Sequence, residues 1–321
     1  MVYDGVCNLD FIIPLCNNNM IIRVTMESII FNYKPKNIYI ISSERELNSL
    51  EKECFCWNLH DTKLHFINED DFFLRNYGLT KEDIYKWYTW KDEKSREFGW
   101  WYQQLLKIGA FRQIKNISDP YIVWDSDLIV LDKWDLYDIN NNTYKFAILQ
   151  ECAKNEFNKS EYSKSINELI GFEAIEPPYE GTFVPHHFVM HHKVLEHLIT
   201  CIEKKNNKGF NWIKAIMILS NTYYRFSEYK CIATFMKMYY PDLLQFYEFG
   251  EYGKKGIRYR ESNEIIEKLK GFCENKHGRL LTYNIFKEFI NEYFDTTPSY
   301  IQIEHVTHLY NPPLEKVEPK N

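Results

Sequence analysis

Two carboxylates interrupt an otherwise apolar stretch in the middle of the chain. Residues 121–131 read YIVWDSDLIVL, so Asp125 and Asp127 stand between two apolar runs. Burying an unpaired carboxylate is costly, so such a group is either neutralised or given a cation. Side chains two positions apart on an extended backbone point the same way, so both carboxylates can converge on one ion. The pattern predicts a Mn²⁺ or Mg²⁺ site, with an ordinary surface turn as the alternative.

The segments around this motif predict a layered α/β protein. Short apolar runs typical of strands lie at 9–15, 37–42, 63–67, 121–124, 145–150 and 188–190. Helical patterns lie at about 20–33, 100–117, 192–205, 210–220 and 228–240. Strands that alternate with helices predict a mainly parallel sheet covered on both faces. Ligands of such sheets bind at the carboxyl ends of the strands, where the two carboxylates are expected. Residues 151–182 are predicted to be a long, flexible excursion.

Composition and charge exclude several classes of protein. The formal net charge of −6 argues against a dedicated nucleic-acid-binding protein, and 45% hydrophobic residues are enough for a sizeable core. We find no secretory signal and no run approaching the roughly 20 apolar residues of a membrane helix. The eight cysteines form no CxxC pair. We therefore expect reduced thiols and a cytoplasmic location.

The layout and the motif together resemble the GT-A class of nucleotide-sugar glycosyltransferases. In that class a D-x-D at a strand end holds Mn²⁺ or Mg²⁺ against the donor diphosphate. The helix WWYQQLLK at 100–107, followed by YIVWDSD, is similar to an uncharacterised bacterial and viral branch of the class. The resemblance implies a single GT-A-like (Rossmann-like) domain over 1–321. Residues 1–150 would bind the nucleotide sugar, and 151–321 would supply the acceptor side and a helical C-terminal portion.

A second resemblance lies near the end of the chain, where residues 303–312 read IEHVTHLYNP. They are similar to the C-terminal H-F-T-G-x-x-K-P segment of family 8 glycosyltransferases, which implies His305 as a third metal ligand. His308 and Asn311 stand where that family has Gly and Lys, so its diphosphate contact is not carried over.

Several residues near the motif are candidates for binding the donor. A basic residue of the helix before the motif reaches the donor in related enzymes, which implies this role for Lys107 or Arg112. Asn17 and Arg23 lie at the first strand–helix junction, where a helix N-terminus offers free N–H groups to a nucleotide. We also expect Trp124 and Ser126, which flank Asp125, to contact the donor.

The acceptor side offers three candidates. Ser227 is predicted to cap a helix, which places Glu228 in its first turn as the base that takes the proton of the acceptor hydroxyl. A carboxylate that serves only the helix dipole is the alternative. The stretch HHFVMHH at 186–192 lacks the spacing of a known zinc motif, so we expect His186 or His187 to line the acceptor pocket.

These expectations describe a hexosyl- or pentosyltransferase of polysaccharide biosynthesis. Its donor would be a UDP- or GDP-sugar, its acceptor a glycan or polysaccharide, and the metal held by Asp127 would act as a Lewis acid on the leaving diphosphate. A haloacid-dehalogenase-like phosphotransferase is one alternative, although its D-x-D continues with Gly-Thr or Gly-Val near the N-terminus. A non-catalytic glycan-binding relative is the other. No nucleic acid is expected as a partner.

Overall fold

A five-stranded sheet lies at the centre of the computed structural model. The structure describes residues 9–88, 95–138, 143–147, 156–175, 182–206, 208–223, 225–247, 250, 255–276, 278 and 280–304. The strands are β1 (Phe11–Pro14), β2 (Asn37–Ser42), β3 (Lys63–Asn68), β4 (Tyr121–Trp124), β5 (Leu128–Val130), β6 (Tyr137–Asp138), β7 (Thr143–Ala147), β8 (His187–Met190), β9 (Gln245–Tyr247), β10 (Ile257–Tyr259) and β11 (Tyr300–Ile303). The helices are α1 (Ile22–Tyr33), α2 (Glu44–Cys54), α3 (Leu74–Tyr77), α4 (Lys81–Tyr85), α5 (Ser95–Gln113), α6 (Glu156–Ile170), α7 (His192–Lys205), α8 (Trp212–Met217), α9 (Glu228–Tyr239), α10 (Asn263–Lys276) and α11 (Tyr283–Tyr293).

The central sheet confirms the predicted mainly parallel arrangement. Its strand order is β3-β2-β1-β4-β8, in which the first four strands are parallel and β8 is antiparallel to β4. The chain builds outward from β1 to β3 and then returns to place β4 on the other side of β1. The crevice between the carboxyl ends of β1 and β4 is therefore the topological switch point, where sheets of this kind bind ligands.

Helices cover both faces of the sheet, which explains why its central strands β1 and β4 are apolar at every position. On β4, Val123 packs into one buried cluster with α5, α7, α8 and α9. Its neighbours Ile122 and Trp124 face the other way and pack with α1 and α2. Successive side chains of a strand point to opposite faces, so this division follows from the backbone.

A smaller sheet attaches the C-terminal region to the motif. Its order is β10-β11-β5, with β10 parallel to β11 and β11 antiparallel to β5. The strand β5 begins at Leu128, immediately after Asp127. The helices α10 and α11 bury apolar side chains against this sheet, in a cluster that contains Ile129, Ile266 and Phe286. The C-terminal portion thus adds two strands as well as helices. A third sheet has the order β6-β7-β9.

Most of the predicted elements are present, but the irregular structure predicted for 151–182 is wrong for its central part. Residues Glu156–Ile170 form the helix α6. Its sequence is polar at most positions, but Ile166, Leu169 and Ile170 make an apolar stripe that joins the main core. A stripe at this spacing is sufficient for an amphipathic helix. Of the strand predicted at 145–150, residues 148–150 lie outside the described part of the chain.

Within the described residues, none of the helices combines the length and apolar character needed to cross a bilayer.

Candidate metal site at the carboxyl edge of the sheet

Hydrogen bonds from three different elements hold the loop that carries the two carboxylates. The loop leaves β4 and enters β5, and the Leu128 N–H donates to the Asp125 carbonyl (3.2 Å) as in a tight turn. The bonds to other elements are from Asp125 N–H to the His186 carbonyl (2.8 Å), from the Thr25 hydroxyl to the Ser126 carbonyl (3.0 Å) and from Ile303 N–H to the Asp127 carbonyl (3.1 Å). The segment before β8, helix α1 and β11 therefore fix the backbone positions of both carboxylates.

Asp125, Asp127 and His186 form a cluster suited to a metal ion, which we call the metal cluster. Each offers one ligand atom, and these atoms all lie within 4.8 Å of one another. The His186 Nδ1 atom lies 2.9 Å from Asp125 Oδ2. His186 has a φ of +58°, in the left-handed region that costs a non-glycine residue roughly 1–2 kcal/mol. Such strain is typical of functional sites.

One oxygen of the Asp127 carboxylate is buried without a hydrogen-bond partner in the structure. Its Oδ1 atom is inaccessible to solvent and has no hydrogen-bond partner, and its Oδ2 atom has only a long contact of 3.4 Å with Gln302 Nε2. Burial raises the pKa of Asp127 to about 6, and the nearby carboxylate of Asp125 adds to this. A divalent cation would supply the missing partner, and two carboxylates with an imidazole suit Mn²⁺ or Mg²⁺.

A buried ammonium group neutralises Asp125 on the side of helix α5. Lys107 Nζ lies 2.6 Å from Asp125 Oδ1, 2.8 Å from Glu228 Oε1 and 3.1 Å from the Tyr229 hydroxyl. Burial alone would raise the pKa of Asp125, but Lys107 and His186 outweigh it and hold that pKa well below its usual range. Burial alone would lower the pKa of Lys107, but the carboxylates of Asp125 and Glu228 raise it above its usual value. An ammonium has three N–H donors, so these partners saturate Lys107.

Side chains of the smaller sheet line the other side of the cluster. The Gln302 Nε2 atom lies 3.1 Å from Glu304 Oε1 and 3.1 Å from His186 Nδ1. Glu304 in turn accepts a hydrogen bond from Arg258 Nε (2.6 Å). The residue opposite Gln302 on β5 is Leu128, so the strand register places this group directly beside the motif.

The charges of this connected network do not balance. Its carboxylates are those of Asp125, Asp127, Glu228 and Glu304, and its cations are those of Lys107 and Arg258. Without counting His186, four ionised carboxylates and two cations leave an excess of two negative charges among the described residues. This excess of negative charge favours the binding of a divalent cation.

Two of the residues expected to bind ligands are enclosed in the core, which corrects those predictions. Trp124 is fully buried and its Nε1–H donates to the Leu128 carbonyl (2.8 Å). His187 is also fully buried, and its ring stacks on Trp134 at 4.5 Å between centroids. Burial lowers the pKa of His187 to about 4, so the ring is neutral. Neither side chain has surface that a donor or an acceptor could reach.

The remaining predicted residues have different surroundings. Arg112 donates to Glu196 and to the Tyr77 hydroxyl, and Arg23 donates to Glu27 (2.8 Å) and the Cys56 carbonyl (3.4 Å). None of these partners belongs to the metal cluster. Asn17 is exposed in the loop that follows β1. His305, expected as the third ligand, lies outside the described residues, as does His308. Within the described residues, His186 is the histidine of the metal cluster, and the role of His305 stays a prediction.

The structure adds residues that the sequence did not indicate: Gln104, Tyr229, Arg258, Gln302 and Glu304. Gln104 accepts a hydrogen bond from the Glu228 N–H (2.8 Å) and lies three positions before Lys107 on α5. Its helical spacing from Lys107 was a usable signal. The residues of β10 and β11 carry no such signal, because only long-range strand pairing brings them to the motif.

The fold and the site define an α/β protein with a candidate divalent-cation site at the switch point of a mainly parallel sheet. The chain belongs to the family described as a family of unknown function (DUF6492), whose model matches residues 8–260. That range contains the metal cluster, Lys107 and Glu228, and it ends before Gln302 and Glu304.

Comparisons with other known proteins add the following. No curated protein matches the chain. The solved structures that it resembles include mouse xyloside xylosyltransferase 1 in its apo form, at 12% identity, 92% of this chain, 97% of that chain and a TM-score of 0.49. They also include the apo glycosyltransferase GlyE of Streptococcus pneumoniae TIGR4, at 10% identity, 94% of this chain, 55% of that chain and a TM-score of 0.36. A third is the inositol-1-phosphate CTP transferase of T. maritima, at 10% identity, 76% of this chain, 87% of that chain and a TM-score of 0.35. At these TM-scores the likenesses do not bear on what this chain binds.

Proposed function

We propose that this chain is a metal-dependent glycosyltransferase that moves a sugar from a nucleotide-diphosphate donor to a glycan or polysaccharide acceptor. The observation that carries the proposal is the metal cluster, in which Asp127 Oδ1 is buried without a partner at the switch point of the sheet. Mn²⁺ and Mg²⁺ are commonly held by a few protein ligands and complete their coordination with substrate phosphates. A cluster with three ligand residues leaves room for such phosphates.

The chain's own residues would divide the work as follows. Asp125, Asp127 and His186 would hold the ion, which when bound supplies Lewis-acid stabilisation of the leaving diphosphate. Lys107 keeps Asp125 ionised and engages its Oδ1, so Asp125 Oδ2, which lies beside His186 Nδ1, would be the oxygen available to the ion. The nucleotide would lie across the switch point, near Asn17 and the N-terminal end of α1, within a single domain that spans 1–321.

Glu228 is better placed to position Lys107 than to act as a base. Its side chain is 5% exposed, and its Oε1 atom is bound to Lys107. Burial raises the pKa of Glu228, and Lys107 opposes that rise. The Ser227 side chain caps α9 as predicted, by accepting a hydrogen bond from the Lys230 N–H. We therefore propose that Glu228 anchors the ammonium that neutralises Asp125.

The phosphotransferase alternative is less compatible with these contacts. It requires the first carboxylate of the motif, Asp125, as a nucleophile. Both oxygens of Asp125 are engaged, Oδ1 by Lys107 and Tyr229 and Oδ2 by His186. A carboxylate held in this way by an ammonium and a hydroxyl is a weak nucleophile, whereas a metal ligand benefits from being held in place.

The proposal is tested by thermal shift with UDP-, GDP-, TDP- and CMP-sugars, with and without Mn²⁺. We expect sugars of one nucleotide class to raise the melting temperature only when Mn²⁺ is present. In Asp127→Asn, neither Mn²⁺ nor the sugar nucleotide should raise the melting temperature. Asp132→Asn is the matched control, because Asp132 is an exposed carboxylate five positions further on. Binding of a sugar nucleotide that is equal with and without Mn²⁺ would refute the metal-dependent mechanism. Mn²⁺-dependent hydrolysis of the bound donor would separate an enzyme from a glycan-binding relative.

A further inference from the structure

The two cations of the site, Lys107 and Arg258, differ in how accessible they are to a ligand. Lys107 has a side-chain exposure of 2% and uses its three donors on protein partners. Arg258 has a side-chain exposure of 19%, close to the 19% of Asp125 and the 13% of His186. The side of the cluster at Arg258 is thus in part accessible to solvent, and we call it the open side. Lys107 lies on its closed side.

Arg258 is placed beside the motif by the pairing of the smaller sheet. On that sheet Arg258 is opposite Gln302, and Gln302 is opposite Leu128, the residue that follows Asp127. Neighbouring strands are about 4.8 Å apart, so two steps correspond to about 10 Å between backbones. The long arginine side chain can cover much of that distance.

A continuous line of contacts links Arg258 to the metal cluster. The Gln302 amide nitrogen lies 3.1 Å from His186 Nδ1 and 3.1 Å from Glu304 Oε1. Glu304 Oε1 accepts from Arg258 Nε at 2.6 Å, and Arg258 Nη2 contacts the same oxygen. Three short contacts thus separate the guanidinium from a candidate metal ligand.

We propose that Arg258 binds a phosphate oxygen of the metal-bound diphosphate, and that Glu304 orients the guanidinium and moderates its affinity for that anion. The planar guanidinium matches phosphate geometry, and its charge is permanent. The paired carboxylate holds Arg258 at the rim of the cluster and competes with the ligand for it. The inference rests on the proposed function, because the diphosphate is that of the sugar-nucleotide donor. It also replaces Lys107, which is saturated, as the cation that meets the donor.

The proposal predicts opposite effects for the two members of the pair. Arg258→Gln removes a charged hydrogen-bond donor and should weaken binding of the diphosphate about ten- to a hundred-fold. Glu304→Gln keeps the shape and an acceptor but removes a negative charge near the ligand, so it should strengthen binding by about three- to ten-fold. A purely structural ion pair would give no gain on loss of its carboxylate.

The experiment is titration calorimetry with inorganic pyrophosphate at saturating Mn²⁺, on the full chain and its variants. Arg260→Gln is the matched control, because Arg260 is an exposed arginine two positions away. Affinity of Arg258→Gln within two-fold of the unmodified chain, or unchanged affinity in Glu304→Gln, would overturn the inference. If Arg258→Gln does not fold, Arg258→Lys takes its place and must still weaken binding, because it keeps the charge and loses the planar fork.

A separate titration with Mn²⁺ alone distinguishes the two proposals. If the unmodified chain does not bind Mn²⁺, the proposed function fails. If Mn²⁺ and pyrophosphate bind and Arg258→Gln binds pyrophosphate equally well, only the assignment of Arg258 fails.

Discussion

The substitution Asp127→Asn tests whether the ionised carboxylate of Asp127 destabilises the fold when no metal ion is bound. Asp127 Oδ1 is buried and has no partner, and burial raises the pKa of the carboxyl to about 6 from a usual value of 3.8. An asparagine has nearly the same shape and no charge. In a metal-free buffer it should therefore make the fold more stable.

The magnitude follows from the difference between the two pKa values. Each pKa unit corresponds to about 1.4 kcal/mol, so ionised Asp127 costs at most about 3 kcal/mol of folding free energy. The asparagine amide is also short of a partner, which returns about 1–2 kcal/mol of that gain. We expect a net increase of about 1–2 kcal/mol in the free energy of unfolding at pH 7.5.

The pH dependence has a definite sign. Because the pKa is higher in the folded than in the unfolded chain, the folded state binds more protons between about pH 3.8 and 6. The contribution of Asp127 to stability is therefore present at low pH and is lost as the pH rises through 6. The advantage of Asp127→Asn should be large at pH 7.5 and small near pH 4.5.

The assay is urea unfolding followed by tryptophan fluorescence, in EDTA and in Mn²⁺. At a concentration of 100 times Kd, Mn²⁺ should stabilise the unmodified chain by about 2.7 kcal/mol and leave the variant unchanged, which reverses their order. If Asp127→Asn is the less stable protein in EDTA at pH 7.5, or if Mn²⁺ stabilises both equally, the reasoning about the unpartnered carboxylate is refuted.

Four further predictions follow from the structure. His186→Asn, which tolerates the left-handed φ, should keep the stability within about 1 kcal/mol and lower the affinity for Mn²⁺ at least about ten-fold by calorimetry; unchanged affinity would remove His186 from the cluster. Lys107→Met should destabilise the fold by about 3–5 kcal/mol in urea unfolding, because two buried carboxylates lose their cation, and adding Glu228→Gln should restore part of this loss. Burial lowers the pKa of His191 to about 4, so its contribution to stability should fall by about 1–2 kcal/mol from pH 7 to 5 as the unfolded chain takes up the proton; His191→Gln should remove that part of the slope, while the part due to His187 should stay. Gly109→Ala should cost about 1–3 kcal/mol in thermal or urea unfolding, because its Cβ would lie 2.6 Å from the buried Phe73 ring.

The sequence was sufficient to predict the central sheet and the position of Asp125 and Asp127 at the end of a buried strand, because both depend on local patterns. The apolar runs of β1, β2 and β4 are covered on both faces, and the interruption by Asp125 and Asp127 is visible in one short stretch. The helix α6 was missed because its apolar stripe is narrow and its other positions are polar. Helix α2 was missed for a similar reason, since Leu47, Leu50 and Cys54 are its main buried apolar positions.

The partners of the carboxylates were harder to predict, because they come from distant parts of the chain. The contact between Lys107 and Glu228 spans 121 positions, and that between Asp127 and Gln302 spans 175. Lys107 was predicted, with Arg112, as a basic residue that reaches the donor. Its burial between two carboxylates could not be predicted, because it depends on the packing of α9 against α5. His186 was predicted to face an acceptor, yet the antiparallel pairing of β8 with β4 brings it to Asp125.

The arrangement of charges explains how the two sides of the site can have different roles. On the closed side, Lys107 neutralises Asp125 and Glu228 without contact with solvent, which fixes one oxygen of the first metal ligand. On the open side, the contacts of the Asp127 carboxylate within the described residues include no ammonium or guanidinium group, and Glu304, two contacts away through Gln302, holds Arg258. An ion bound there would meet one carboxylate already neutralised and one that is not. Lys107 would thus fix the orientation of one ligand and Asp127 would supply the charge that holds the ion, while Arg258 would supply positive charge for a diphosphate.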